Sequence, residues 1–339
     1  MITDPATADG FFIFLEGGGE CNDVEECDER CERSPQMCTS NLHPEITRRG
    51  AFWSPDPADN PFYNFVKVFV PYCSSDIHQG DNGPDGETGG MIFAGRRNIN
   101  ELIAMLRFEY NFDSAKKVIL SGGSAGGKGA AGNCNFMGDE ITRTNPDVDF
   151  RCIPDASGWL PLPIYNTEEC DNTQREKDST HLWNREINPD CSAAAEKMGL
   201  DPIQHCSFES QYAGFIRYRV MFVGTLQDTI FLERHLCIKP WFTIPANLLA
   251  WWVKELEKVS LDYALQYDQM GFWITSCPGH GVMMGDGTGG WNSDVVDGLT
   301  IRDAVAQWAL EGKVVHHVND VNWPNPHCPE GRVAQKSEF

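Results

Sequence analysis

Ser124 is framed by glycines two residues away on either side. Residues 118–133 read VILSGGSAGGKGAAGN, so Gly122-Gly123-Ser124-Ala125-Gly126 directly follows an aliphatic, partly β-branched run. Where a strand ends in G-x-S-x-G and a helix follows, the backbone turns sharply at the serine, and the glycines remove Cβ atoms that would clash. The hydroxyl then stands clear of the sheet at a helix N-terminus, whose dipole favours developing negative charge. Nucleophilic attack on a carbonyl carbon is the chemistry this suits. In a chain with 32 glycines the same pattern also fits a plain glycine-rich connector, so its partners must decide.

The first partner is a set of donors for the oxyanion. Glu16-Gly17-Gly18-Gly19-Glu20 directly follows the apolar run Phe11 to Leu15. Three glycines there let backbone N–H groups turn towards a reacting carbonyl, with the N–H of Ala125 as a further donor. One such donor contributes about 3 to 4 kcal/mol in the transition state.

A base and an orienting acid are expected after the serine, in the order Ser, Asp, His. Of nine histidines, His280 lies in the small-residue loop Ser276-Cys277-Pro278-Gly279-His280-Gly281, which suits a mobile imidazole. His316 and His317 sit in a strand-like run and His327 in the tail, where structural roles are expected. Asp228 follows the strand-like run 218–223 through Gly224-Thr225-Leu226-Gln227, and Asp155 is its rival after Phe150 to Pro154. The acid belongs after a strand later than the one that follows the nucleophile helix, which favours Asp228.

The elements that would position these residues alternate. Strands are expected at 11–15, 66–70, 117–120 and 218–223. Helices are expected at Ile99 to Tyr110, from apolar residues at 3.6-residue spacing, and at Thr300 to Glu311, with Thr300 as N-cap and Asp303 in the first turn,. That alternation predicts an α/β chain with a mostly parallel central sheet flanked by helices, in one domain over 1–339. Between 155 and 211 the pattern fails. The segment carries Cys170, Cys191 and Cys206, several prolines and two tryptophans, and reads as an irregular, disulfide-tied insertion serving as lid or substrate wall. The tail, Asn322 to Pro329, reads as an extended end stapled by Cys328.

Composition bounds the rest. The 339 residues are 41% hydrophobic and 22% charged, with a net charge of -22. Long-range repulsion argues against nucleic acid or an anionic membrane as partner, and no apolar run is long enough for a transmembrane helix. Thirteen cysteines dispersed along the chain suit disulfides made in an oxidising compartment,. Cys21, Cys27, Cys31 and Cys38 lack the paired CxxC knuckles of common zinc modules, so disulfides are favoured over metal. The acidic stretch Asp81 to Glu87 lacks EF-hand spacing and reads as an exposed turn. An odd count leaves at least one thiol unpaired. Met1-Ile2-Thr3-Asp4-Pro5 has neither basic n-region nor apolar h-region,, and a trimmed leader that carried one cysteine partner would account for both observations.

Several short motifs occur together in one order: Leu15 to Cys21, Val70-Pro71-Tyr72-Cys73-Ser74-Ser75-Asp76, Phe93-Ala94-Gly95-Arg96, Ser121 to Gly127, Leu226-Gln227-Asp228, Ser276 to His280 and Trp323 to Pro329. On these, nearly the whole chain resembles the pectin acetylesterase and Notum carboxylesterase family. The resemblance implies a secreted, disulfide-bonded α/β-hydrolase without cofactor, and the chain is expected to be a monomer without a metal site. It carries the triad over to Ser124, Asp228 and His280, and the oxyanion donors to Gly18, Gly19 and Ala125. Substrate contacts are expected from Glu20, Tyr72, Ser75 and Asp76, and the partner is an ester, either an acylated glycan or an acylated protein or lipid. Family members usually have a further strand and cysteine before the first glycine loop. Glu20 also stands where the family has an aromatic residue.

Overall fold

A computed structural model of the chain describes residues 5, 7–43, 51–158, 173–240, 243–267, 269–283, 290–318 and 328. Two compact units emerge. One comprises Met1–Thr47, Asn64–Trp159 and Asn172–Arg219; the other comprises Arg48–Tyr63, Leu160–Asp171 and Val220–Phe339.

The first unit is built on parallel strands β1 (Gly10–Leu15), β2 (Phe65–Val70), β3 (Lys117–Gly123) and β4 (Asp149–Asp155), ordered β2-β1-β3-β4. Every residue of β1 is buried, as its sequence Gly-Phe-Phe-Ile-Phe-Leu requires of a strand with neighbours on both sides,. In register, Leu15 lies opposite both Val70 and Gly122. The carboxyl ends of the three strands are therefore level, and the loops leaving them emerge together, where parallel sheets bind ligands.

Helices α1 (Val24–Arg33), α2 (Gly95–Tyr110) and α3 (Ala125–Thr144) belong to this unit. α2 buries Ile99, Leu102, Ile103 and Leu106, the stripe its periodicity predicts, but starts four residues earlier than expected. Its cap is not local: Asp76, 19 residues upstream, accepts the Gly95 N–H through Oδ2 at 2.8 Å,. The Cys134–Cys152 disulfide pins α3 to β4. Beyond residue 172, the segment expected to be irregular folds as short helices α4 (Thr173–Trp183), α5 (Pro189–Lys197), α6 (Pro202–Cys206) and α7 (Glu209–Tyr212). Its prolines at 189 and 202 are first-turn residues behind Asn188 and Asp201 caps, so they start helices rather than break them,. Cys191–Cys206 ties α5 to α6.

The second unit has β5 (Arg219–Thr225) and β6 (Gly271–Thr275), a short hairpin of β7 (Val295–Val296) and β8 (Leu299–Thr300), and β9 (His316–Val318). β5, β6 and β9 pair in parallel in that order. Its helices are α8 (Thr229–Leu236), α9 (Ala246–Gln266) and α10 (Ile301–Ala309). Thr300 caps α10 by accepting the Asp303 N–H at 3.2 Å, as the sequence implies. Parallel strands with helical crossovers in each unit make this the expected α/β class. Among the described residues, no helix is long and apolar enough to cross a membrane.

The four cysteines with the zinc alternative form disulfides Cys21–Cys27 and Cys31–Cys38. Cys277 pairs with Cys328, the one tail residue described, and Cys237 is also disulfide-bonded. Cys73 is a free thiol, its pKa raised by burial. Cys170, His327 and the remainder of the tail lie outside the described residues.

Candidate active site

At the end of β3 the backbone of Ser124 adopts φ 58° and ψ −122°, a region that L-residues rarely occupy,. Its neighbours impose this. The Ser124 N–H donates to Asp155 O at 2.9 Å, and its carbonyl accepts the Lys128 N–H at 2.9 Å to start α3. A Cβ at Gly122 would lie 2.2 Å from Gly126 O, and one at Gly126 would lie 2.0 Å from Leu15 O. Both glycines of the motif are thus required by backbone crossing backbone. Asp155, the rival acid, holds the turn from below through its main chain.

The glycine loop passes directly beside this turn: a Cβ at Gly17 would come 3.0 Å from Ser124 Cβ. Arg30 of α1 sets the loop's peptide planes by donating from Nη2 to Gly18 O at 2.6 Å and Gly19 O at 3.4 Å. In a trans peptide the N–H points opposite to the carbonyl, so anchoring Gly18 O turns the Gly19 N–H away from Arg30. Arg30 is held in turn through Nε to Ser75 Oγ at 2.8 Å, and Ser75 Oγ donates to Met37 O at 2.9 Å. Sequence reasoning overlooked Arg30. Its only signal is its position inside the Cys21–Cys38 cluster, whose two disulfides build the platform beneath the loop.

Of the four residues expected to contact substrate, three bond to the scaffold. Tyr72 is fully buried, accepts the Ile77 N–H at 2.7 Å and stacks on His78. Asp76, also fully buried, accepts from Ser74 Oγ at 2.6 Å, His78 N and Gly95 N, and burial raises its pKa to about 6. Ser75 braces Arg30. His78, missed by the sequence reading, donates from Nε2 to Glu16 O at 2.8 Å, and burial lowers its pKa to about 4. The fourth, Glu20, pairs with Lys128 at 3.3 Å, one turn into α3. Trp183 of α4 seals the platform, its indole donating to Cys21 O at 3.1 Å.

In the second unit, Asp228 follows β5 and caps α8, accepting from Ile230 N at 3.0 Å and Phe231 N at 3.1 Å. His280 Nδ1 lies 2.8 Å from both its carboxylate oxygens. The two loops are stitched together by Thr229 N to Gly279 O and Gly279 N to Gln227 O. A buried carboxylate on Nδ1–H fixes the tautomer that leaves Nε2 as a base. His316 and His317 are engaged elsewhere, with Met270 O at 2.6 Å and Asp297 at 2.9 Å. Among the described residues, no cluster of His, Cys, Asp and Glu could hold a metal ion.

Parallel strands, a strand–serine–helix turn beside a glycine loop and an Asp–His pair after later strands have the layout of the α/β-hydrolases. The fold matches a crystal structure of the Wnt deacylase Notum from Drosophila with a TM-score of 0.81, at 22% identity, over 97% of this chain and 93% of that one. The chain belongs to the Pectinacetylesterase family, which it matches over residues 5–329. Palmitoleoyl-protein carboxylesterase notum1 of Xenopus laevis is 25% identical over 358 residues, covering 95% of this chain and 68% of that protein. Pectin acetylesterase 5 of Arabidopsis thaliana is 24% identical over 346 residues, covering 94% and 76%.

Proposed function

We propose that the chain is a secreted, monomeric serine carboxylesterase that removes acetyl or other short acyl groups from a polysaccharide. The observation that carries this reading is the strained Ser124 backbone, maintained by its neighbours at an energetic cost of about 1–3 kcal/mol,. In the proposed reaction His280 Nε2 takes the proton from Ser124 Oγ as the oxygen attacks the ester carbonyl. Asp228 stabilises the imidazolium, and the N–H groups of Gly18, Gly19 and Ala125 receive the oxyanion. Collapse of the tetrahedral intermediate breaks the C–O bond, and His280 returns the proton to the departing alcohol. Water, deprotonated by His280, then releases the acid and restores Ser124.

The relatives' names span two acyl lengths, palmitoleoyl and acetyl. We favour the shorter because Glu20, next to the glycine loop, is a carboxylate held by Lys128 and offers no apolar surface for an alkyl chain,. The helices between 173 and 212 are proposed as the substrate wall within a single α/β-hydrolase domain. Disulfides in the described residues suit an oxidising compartment and support secretion,.

A series of p-nitrophenyl esters of increasing acyl length tests the reading, with Ser124→Ala as control. Activity highest on acetate and abolished by Ser124→Ala is expected. A maximum at long acyl chains would overturn the short-acyl assignment, and full activity in Ser124→Ala the nucleophile.

A further inference from the structure

Arg96 belongs to a motif that the esterase reading leaves without a role. It sits in the first turn of α2, only 8% exposed, with its guanidinium stacked over the Phe136 ring at 4.2 Å. Nε and Nη1 are buried without a hydrogen-bond partner. A buried donor set of this kind is costly unless something accepts from it. Asp81, one nearby carboxylate, is already paired with Arg97. Glu186, the other, makes no ion pair with Arg96 among the described residues.

Arg96 lines a partly open pocket of about 140 Å³ between the starts of α2 and α5 and the flank of α3. That is smaller than a drug-sized ligand site and suits a small acid. The wall from α3, Ala131 to Asp139, lies 7 to 15 residues beyond Ser124, about 10 to 22 Å along the helix, so the pocket is separate from the nucleophile. Arg217 on its rim is committed to Asp139 and Asp190. Arg185 is committed to Thr180 Oγ1 and Ser207 O. Arg96 is left as the recognition group. The starts of α2 and α5 at the wall add positive dipole ends,.

We infer that this pocket binds the carboxylate of a small organic acid, with Arg96 as the residue that recognises it. A planar guanidinium matches a carboxylate with two parallel N–H···O bonds, whereas a lysine ammonium would not. A single carboxylate also meets far less of the long-range repulsion that a net charge of -22 exerts on a polyanion,. Two sources supply such a group: the uronate of a sugar acid, and the short acid released by ester hydrolysis.

Isothermal titration of the full chain with galacturonate, acetate and neutral galactose tests the inference, using wild type, Arg96→Gln and Glu186→Gln. At least one of the two acids should bind wild type and galactose should not. Arg96→Gln should weaken binding at least about tenfold, as loss of a charged hydrogen bond does. Glu186→Gln should strengthen it about two- to fivefold by removing a like charge from the wall. This gain is one that misfolding does not mimic. Galacturonate binding alone assigns the sugar acid, acetate binding alone the released acid, and binding of both the carboxylate they share. Failure of both acids to bind, equal binding of galactose, undiminished binding in a folded Arg96→Gln, or unchanged or weaker binding in Glu186→Gln would overturn it.

Discussion

Replacing Lys128 with Met removes the cation from a buried acidic neighbourhood, and the consequence depends on pH. Lys128 Nζ lies 3.3 Å from Glu20 Oε1, with the two side chains only 10% and 6% exposed. At an effective dielectric of about 20, that attraction is about 5 kcal/mol before desolvation is subtracted. Deleting one partner of such a pair costs about 3–5 kcal/mol, because the other charge is left buried. Glu209 enters the same arithmetic. It is fully buried, and desolvation raises its pKa from 4.5 to about 7, with Lys128 the foremost charge pulling it back down.

A carboxyl whose pKa is raised by folding contributes stability that is present below pH 4.5 and lost as the pH climbs through about 7,. For Glu209 this loss is on the order of 3 kcal/mol. Without Lys128 its pKa rises further, so the variant keeps losing stability at pH values where wild type has levelled off. Asp76 titrates with the same sign as Glu209 and His78 with the opposite one, His78 favouring folding above pH 6.5 and losing that contribution towards pH 4. Both are common to wild type and variant, so the difference between the proteins isolates the Lys128 cluster. Urea unfolding with disulfides intact should give a loss for Lys128→Met of about 3–5 kcal/mol from the Glu20 pair, larger at pH 8 than at pH 5, where Glu209 is neutral,. Adding Glu20→Gln should recover part of the loss at pH 8. Equal losses at the two pH values, or a loss under about 1 kcal/mol at pH 8, would refute the reasoning.

Three further outcomes follow from the site. Asp228→Asn should lower kcat on p-nitrophenyl acetate about 10³–10⁴-fold with KM little changed, since an amide can leave His280 in the wrong tautomer. Arg30→Ala should lower kcat about 10- to 100-fold through the loosened Gly18 and Gly19 peptides while circular dichroism stays that of wild type; an unchanged kcat would separate the loop from Arg30,. Replacing Cys134 and Cys152 together with Ala should cost about 3 kcal/mol in urea unfolding, as expected for a disulfide closing a loop of this length,.

The alternation of strands and helices was legible because each strand has buried neighbours and reads as a short apolar run. The Ser124 turn was legible because its cause is local: Gly122, Gly126 and the crossing of β1 are all expressed within a few residues of the serine or of Leu15. The Asp228–His280 pair was legible through chain order, although 52 residues separate the two. The true start of α2 was not, because its cap is Asp76, and the short helices after residue 172 were hidden by prolines that read as breakers when taken singly.

What the sequence withheld most consistently is the layer beneath the chemistry. Tyr72, Ser75 and Asp76 carry polar groups of the kind that bind substrates, yet their partners are Ile77 N, Arg30 and Gly95 N, so their contribution is to hold loops. No periodicity expresses a contact between a loop and a helix, and composition cannot separate a polar group that faces solvent from one that accepts a backbone N–H. Glu20 makes the point from the other side. As a residue type it read as a change at the rim of the site. Its partner is 108 residues away on the helix that Ser124 begins, and a charge buried there must be matched by Lys128 or it would be too costly to keep. A substitution at position 20 is therefore also a change for Lys128, and restoring an aromatic residue at 20 would remove the carboxylate with which Lys128 pairs.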